Sequence, residues 1–126
     1  MAKKLAMVFG VVFVLVGLLG FISNPIVGSM GFFMTNHVHD LVHLLVGVVM
    51  LVMSAQGESM AIMSLTIFGA VYALIAVLGF VMTSPLLGLV AYNSADNWLH
   101  VVLAIVLLGA GLSIKKGFMT PPAAQV

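Results

Sequence analysis

Apolar residues run through the chain in four long segments separated by short polar stretches. The segments cover roughly residues 5–22, 37–55, 60–82 and 94–114. Each is close to the roughly 20 residues that a helix needs to cross a hydrocarbon layer about 30 Å thick. In lipid the backbone must satisfy its own hydrogen bonds, so the pattern predicts four transmembrane α-helices in an all-α bundle.

The second half of the chain repeats the landmarks of the first half in the same order. The matched positions are Phe9 with Phe68, Gly20 with Gly79, Pro25 with Pro85, Asn36 with Asn93, His39 with Asp96, Asp40 with Asn97, and His43 with His100. This order indicates two copies of a two-helix unit, at about 5–55 and 60–114. We predict one membrane domain over residues 1–116 and a short tail at 117–126.

Composition places the protein in the lipid bilayer. Hydrophobic residues make up 63% of the chain and charged residues 6%, whereas about a quarter of the residues in a soluble domain are charged. The net charge of +1 gives no indication of a nucleic-acid partner. Because all positive side chains are lysines at positions 3, 4, 115 and 116, we expect both termini to be cytoplasmic.

Two polar octets, at 36–43 and 93–100, open the second and fourth segments. A two-helix repeat keeps its direction, so we expect the copies to be related by an axis along the membrane normal. The octets would then lie at the same depth on the outward side. From His100 to Lys115 a helix rises about 22 Å, which predicts histidines one to two turns below the outer boundary.

The octets supply a candidate metal site. His39 and His43 lie four residues apart and share a helix face, as do Asp96 and His100. If the two faces meet, three imidazoles and one carboxylate converge, a donor set that suits Zn²⁺ or Fe, Mn or Cu. Thiolate ligands are excluded because the chain has no cysteine. Four protein ligands would close the site, which favours a structural, sensory or storage role over catalysis.

Four further polar residues flank this set as a predicted second shell. Asp40 and Asn97 follow the first ligand of each octet and could orient the imidazoles through hydrogen bonds. Asn36 and Asn93 precede the ligands, at positions where Asn also serves as a helix N-cap. A purely structural alternative therefore stays open, in which the octets only cap helices and form hydrogen bonds between them.

Other functions fit parts of the pattern. His43 and His100 alone could ligate a haem or another tetrapyrrole. Met30, Met34, His37 and His39 could bind copper outside the membrane. The chain could equally be a cofactor-free accessory or assembly subunit of a larger membrane complex, or form a homo-oligomer. No general base or oxyanion donor is visible, so enzyme activity is not predicted. Tyr92 and Trp98 are expected to be interfacial anchors.

Several motifs resemble a bacterial family of small four-helix membrane proteins known as domain of unknown function 4383. The resemblance rests on Phe9-Gly10, on His39-Asp40-Leu41-Val42-His43 and above all on Ala95-Asp96-Asn97-Trp98-Leu99-His100. It implies the four-helix fold and a place in the bacterial inner membrane, and it carries no established activity. Members of the family typically have Asn where this chain has Asp40.

Overall fold

A computed structural model describes residues 1–119 and has four helices, as the apolar segments predict. They are α1 (Ala2–Leu19), α2 (His37–Ala55), α3 (Glu58–Val81) and α4 (Ser94–Met119). Two short parallel strands, β1 (Val27–Gly28) and β2 (Phe33–Met34), lie in the loop after α1. All four helices are long and apolar enough to cross a membrane. The prediction of four spanning helices is therefore confirmed at this level.

The helix bounds differ from the predicted segments mainly at the end of the chain. α4 continues to Met119, five residues past the predicted end, because no proline intervenes before Pro121. The predicted tail at 117–126 thus begins inside α4, and its last seven residues lie outside the described part of the chain.

The helices pack as two hairpins, α1 with α2 and α3 with α4, which then meet each other. Glycines let the paired backbones approach closely: a Cβ on Gly47 would meet the backbone of α1, and one on Gly69 would meet the backbone of α4 at Leu108. The shared core includes Phe13, Met50, Leu65, Tyr72 and Leu107. Large apolar side chains remain exposed on the outer faces of the helices, among them Leu15, Leu45, Leu74 and Ile105. Such a surface suits lipid rather than water.

Glu58 joins the start of α3 to the start of α1. Its carboxylate accepts hydrogen bonds from the backbone N–H groups of Ala2 at 2.5 Å and Lys3 at 3.1 Å, and it pairs with the amino group of Met1. A carboxylate at this position satisfies N–H groups that have no partner inside α1 and complements the helix dipole. No pattern in the sequence predicts this contact, because the two segments are 55 residues apart.

The loops at the other end of the bundle are held by two asparagines in a reciprocal manner. Asn36 accepts a hydrogen bond from the N–H of His39 and so caps α2, while its amide donates to the carbonyl of Leu89 in the opposite loop. Asn93 caps α4 through the N–H of Asp96 and donates to the carbonyl of Phe32. Each asparagine therefore caps its own helix and forms a hydrogen bond with the loop of the other hairpin.

Tyr92 is buried, so its prediction as an interfacial anchor is wrong. Its hydroxyl donates to the carbonyl of Met82 at 2.6 Å and lies 3.2 Å from that of Gly79, at the end of α3. Trp98 is 60% exposed and packs edge-on against Phe80, as an interfacial tryptophan would.

Candidate metal centre

The structure brings together the four residues predicted as metal ligands. His39 and His43 point inward from the first two turns of α2, and Asp96 and His100 do so from the start of α4. All four are buried, with 2–6% of their surface exposed. One ligand atom from each of the three histidines lies within 4.8 Å of the others.

Asp96 completes the cluster on one side. Its Oδ2 lies 3.8 Å from Nε2 of His39, and its Oδ1 lies 3.9 Å from Nε2 of His100. Both distances exceed those of a hydrogen bond, which ends near 3.2 Å for N–H···O. The carboxylate therefore faces two imidazoles without bonding to either of them.

A loop carbonyl fixes the orientation of the His39 ring. Nδ1 of His39 lies 2.6 Å from the carbonyl oxygen of Ala91. Because a carbonyl oxygen can only accept, Nδ1 carries the hydrogen, and Nε2 of the neutral ring presents a lone pair to the cluster. Metal-binding histidines commonly use this arrangement, in which a carbonyl holds one ring nitrogen and the metal takes the other.

Two atoms of the cluster are buried without a hydrogen-bond partner. They are Nδ1 of His43 and Oδ2 of Asp96. An unsatisfied buried polar group costs about 1–3 kcal/mol, and more if it is charged. A cation among these atoms would remove that penalty, because each of them can offer a lone pair to it.

Aromatic rings form a wall beside the cluster. Phe13 and Tyr72 stack at 5.3 Å with their planes 6° apart. Phe13 also stacks on His43 at 6.0 Å, and Tyr72 packs against His100 at 5.3 Å. The sequence repeat pairs Phe13 with Tyr72 and His43 with His100. Each half of the chain therefore contributes one aromatic ring and the histidine that packs against it. Packed rings restrict imidazole rotation and keep the donor atoms in place.

The ligand atoms must move closer together to bind a metal ion. Tetrahedral Zn²⁺ binds imidazole nitrogen and carboxylate oxygen at about 2.0–2.2 Å, so neighbouring donor atoms lie about 3.3 Å apart. The distances from Asp96 to His39 and His100 are 3.8 and 3.9 Å. The Asp96 distances would have to shorten by about half an ångström, and those among the three histidines, which are up to 4.8 Å, by as much as about 1.5 Å.

The four predicted second-shell residues have other contacts. Asn36 and Asn93 cap helices and hold loops, as described above. The carboxylate of Asp40 lies against the backbone of Gly20, and the amide oxygen of Asn97 lies against Gly79. Neither makes a hydrogen bond to an imidazole in residues 1–119, and Oδ2 of Asp40 is 3.9 Å from Nδ1 of His37. The orientation of the imidazoles by Asp40 and Asn97 stays a prediction.

His37 does not join the cluster. Its side chain is 82% exposed and stacks on Phe21 at 5.2 Å, whereas His39 is buried. The two histidines of the copper alternative therefore lie in different environments, and Met30 is 94% exposed.

Comparison with known proteins identifies the family. The model of the domain of unknown function family DUF4383 matches residues 3–113. The chain belongs to the DUF4383 family. The resemblance deduced from the Ala95 to His100 motif is thereby confirmed. No curated protein and no solved structure matches the chain.

Proposed function

We propose that this DUF4383 protein binds one transition-metal ion through His39, His43, Asp96 and His100. The observation that supports this most strongly is the convergence of buried lone pairs that lack hydrogen-bond partners. Packing alone would favour apolar residues at such positions, since buried polar groups are costly in lipid.

Charge balance supports a cation at this position. The lysines lie at the opposite end of the bundle: Lys3 borders Glu58, and Lys115 lies near the start of α3 beside Ser59. Among the described residues, the titratable side chains found beside Asp96 are His39, His100 and Tyr72, and none of them is a fixed cation. A divalent ion would neutralise the carboxylate and bind the three neutral imidazoles at once.

The donor set favours Zn²⁺, with Fe, Mn and Cu as alternatives. Four protein ligands would leave a tetrahedral ion without an open position, so the role is structural, sensory or storage rather than catalytic. Metal binding would stabilise the fold, because the unfolded chain has no preformed site.

We also propose that the two hairpins are parallel-related repeats around an axis along the membrane normal. The matched contacts of Asn36 with Asn93, and of Gly20 and Asp40 with Gly79 and Asn97, support this relation. With both termini cytoplasmic, the metal site would lie on the outward side of the bacterial inner membrane. A homo-oligomer or a larger membrane complex would provide the signalling or assembly partner.

Metal analysis of the native protein tests the proposal. The full chain is purified in detergent through a tag without histidine, and bound metal is measured by mass spectrometry. We expect about one ion per chain, lost in His43→Gln and in His100→Gln. His37→Gln is the matched control, because it removes a histidine from the start of the same helix outside the cluster and should keep the metal.

Other results would contradict the proposal. Metal content that is equal in His37→Gln and His100→Gln would place the ion elsewhere. A Soret band lost in His43→Gln would favour a haem between His43 and His100 instead. Metal-free protein that co-purifies with a constant partner would favour an accessory subunit.

A further inference from the structure

A cavity of about 180 Å³ lies between α1 and α4 beside the metal site. Its walls are almost entirely apolar and include Val16, Leu19, Phe33, Leu99 and Leu103. Val12 and Ile26, which also line it, are about half exposed, so the cavity opens to the lipid-facing surface. Its polar lining consists of Thr35, His43 and Asp96.

The second half of the chain has a matching space that is almost filled. It measures about 10 Å³ and is lined by Ile75, Leu86, Val90, Tyr92, His100 and other residues. The sequence repeat pairs these residues with members of the open cavity: Val16, Ile26, Phe33, Thr35 and His43. Thr35 and Tyr92 each directly precede a capping asparagine. The two spaces are therefore counterparts that differ about eighteenfold in volume.

The cavity is open on the side where Thr35 stands in place of the larger Tyr92, although its lining also has Phe33 in place of the smaller Val90. In the second half, the ring of Tyr92 fills the space and its hydroxyl donates to the carbonyl of Met82 at the end of α3. In the first half, the amide of Asn24 donates to the carbonyls of Leu19 and Ile22 at the end of α1. The helix end is thus satisfied in both halves, but only the second half has a tyrosine before its capping asparagine.

Thr35 leaves an unsatisfied hydroxyl in the open cavity. The residue is 1% exposed, and its Oγ1 has no hydrogen-bond partner. His43 and Asp96, the other polar lining residues, belong to the proposed metal site, so Oγ1 of Thr35 is the atom left for a ligand in the cavity. A ligand with a hydroxyl group could bond to this oxygen, whereas a hydrocarbon would leave it unsatisfied.

We propose that this cavity binds a phenolic ring, either free or as the headgroup of a membrane-soluble molecule. The ring occupies the space that Tyr92 fills in the other half, and its hydroxyl bonds to Thr35. The size is adequate, because an engineered apolar cavity of about 150 Å³ in another protein binds benzene. The opening between Val12 and Ile26 lets a hydrocarbon substituent extend into lipid.

Fluorine NMR of 4-fluorophenol added to the full-length protein in detergent micelles tests the proposal. We expect a saturable shift with one site per chain, and no saturable shift for 4-fluorotoluene, which lacks the hydroxyl. Thr35→Tyr should abolish binding by filling the cavity as Tyr92 does in the other half. The milder Thr35→Val should weaken binding by about tenfold at most, the value of one hydrogen bond.

The reverse exchange supplies a second variant. Tyr92→Thr should open the matching space and raise the number of phenol sites to two, with a circular dichroism spectrum that stays helical. Equal binding by the wild type and Thr35→Tyr would overturn the proposal, as would equal binding of fluorotoluene and fluorophenol. A phenol with a twelve-carbon chain is compared in micelles with and without the protein. Tighter binding in the presence of the protein would favour the membrane-soluble source.

Binding is measured on the protein as purified and after metal removal by a chelator. The cavity lies beside the metal ligands but does not need an ion to hold a ring. Saturable phenol binding by metal-free protein would support the phenol site even if metal analysis contradicts the metal site. Metal binding without saturable phenol binding would overturn the phenol site and leave the metal site supported.

Discussion

Nε2 of His39 lies 3.8 Å from Oδ2 of Asp96, although the two residues belong to helices whose backbones are not neighbours in the part of the chain described. The sequence repeat places them at equivalent positions, one imidazole and one carboxylate. Because the Ala91 carbonyl occupies Nδ1 of His39, the other ring nitrogen faces the carboxylate with a lone pair. Two acceptors that face each other across this gap cannot form a hydrogen bond, and the cation proposed above would bind to both of them.

Glycine at positions 20 and 79 is required by the polar side chains that pack against it. A Cβ on Gly20 would collide with the Asp40 carboxylate, and one on Gly79 with the Asn97 amide. We expect Gly20→Ala and Gly79→Ala each to lower the free energy of unfolding by about 1–3 kcal/mol, the usual penalty of overpacking. SDS-induced unfolding in mixed micelles measures the change.

Gly109 provides the control for these substitutions, because a Cβ there has no neighbour within 4 Å. Gly109→Ala should be neutral or raise the free energy of unfolding by up to about 1 kcal/mol, the difference in helix propensity. Loss of stability in Gly109→Ala equal to that in Gly20→Ala would show that any methyl group on these helices is harmful.

Asn36 serves two contacts that substitution can separate. Asn36→Ala removes the cap on α2 and the bond to Leu89, which should lower the free energy of unfolding by about 1–3 kcal/mol. Asn36→Asp keeps an oxygen for the N–H of His39 but loses the donor to Leu89, so its loss should be smaller. If both variants lose the same stability in thermal unfolding, the cap contributes nothing measurable. Asn93 should show the same order with respect to Phe32.

Asp40 and Asn97 occupy equivalent positions with different charge. Both oxygens of the Asp40 carboxylate are buried without a hydrogen-bond partner. Asp40→Asn keeps the shape and removes a charge that is costly to bury, so we expect the free energy of unfolding to rise by about 1 kcal/mol or more. Asn97→Asp should lower it by a similar amount. Lower stability of Asp40→Asn in SDS-induced unfolding would indicate that the contact with His37 at 3.9 Å is worth more than the burial costs.

The sequence was sufficient to predict the four helices and the convergence of His39, His43, Asp96 and His100. Both follow from strong regularities: the length of apolar segments in lipid, and a sequence repeat that matches His39 with Asp96 and His43 with His100. The repeat could not predict where the halves diverge. Tyr92 was expected at the interface because its aromatic ring and hydroxyl suit that position, but a helix end with unsatisfied carbonyls binds the hydroxyl instead.

Contacts between distant loops were also beyond prediction. The bond from Nδ1–H of His39 to the Ala91 carbonyl, and the bonds from the N–H groups of Ala2 and Lys3 to Glu58, depend on backbone groups, which every residue has. Residue type therefore carries no signal for them. The capping role of Asn36 and Asn93 was predictable from their positions, whereas their bonds to the opposite loops depend on how the hairpins meet.

X-ray absorption spectroscopy at the edge of the bound metal tests the central claim most directly. For the purified wild type and His37→Gln, we predict imidazole scattering with nitrogen and oxygen ligands at about 2.0–2.2 Å in a four-coordinate shell. In His100→Gln, the imidazole contribution should fall or the ion should be absent. A first shell of water oxygens in the wild type, or a spectrum that His100→Gln leaves unchanged, would contradict a metal held by this cluster.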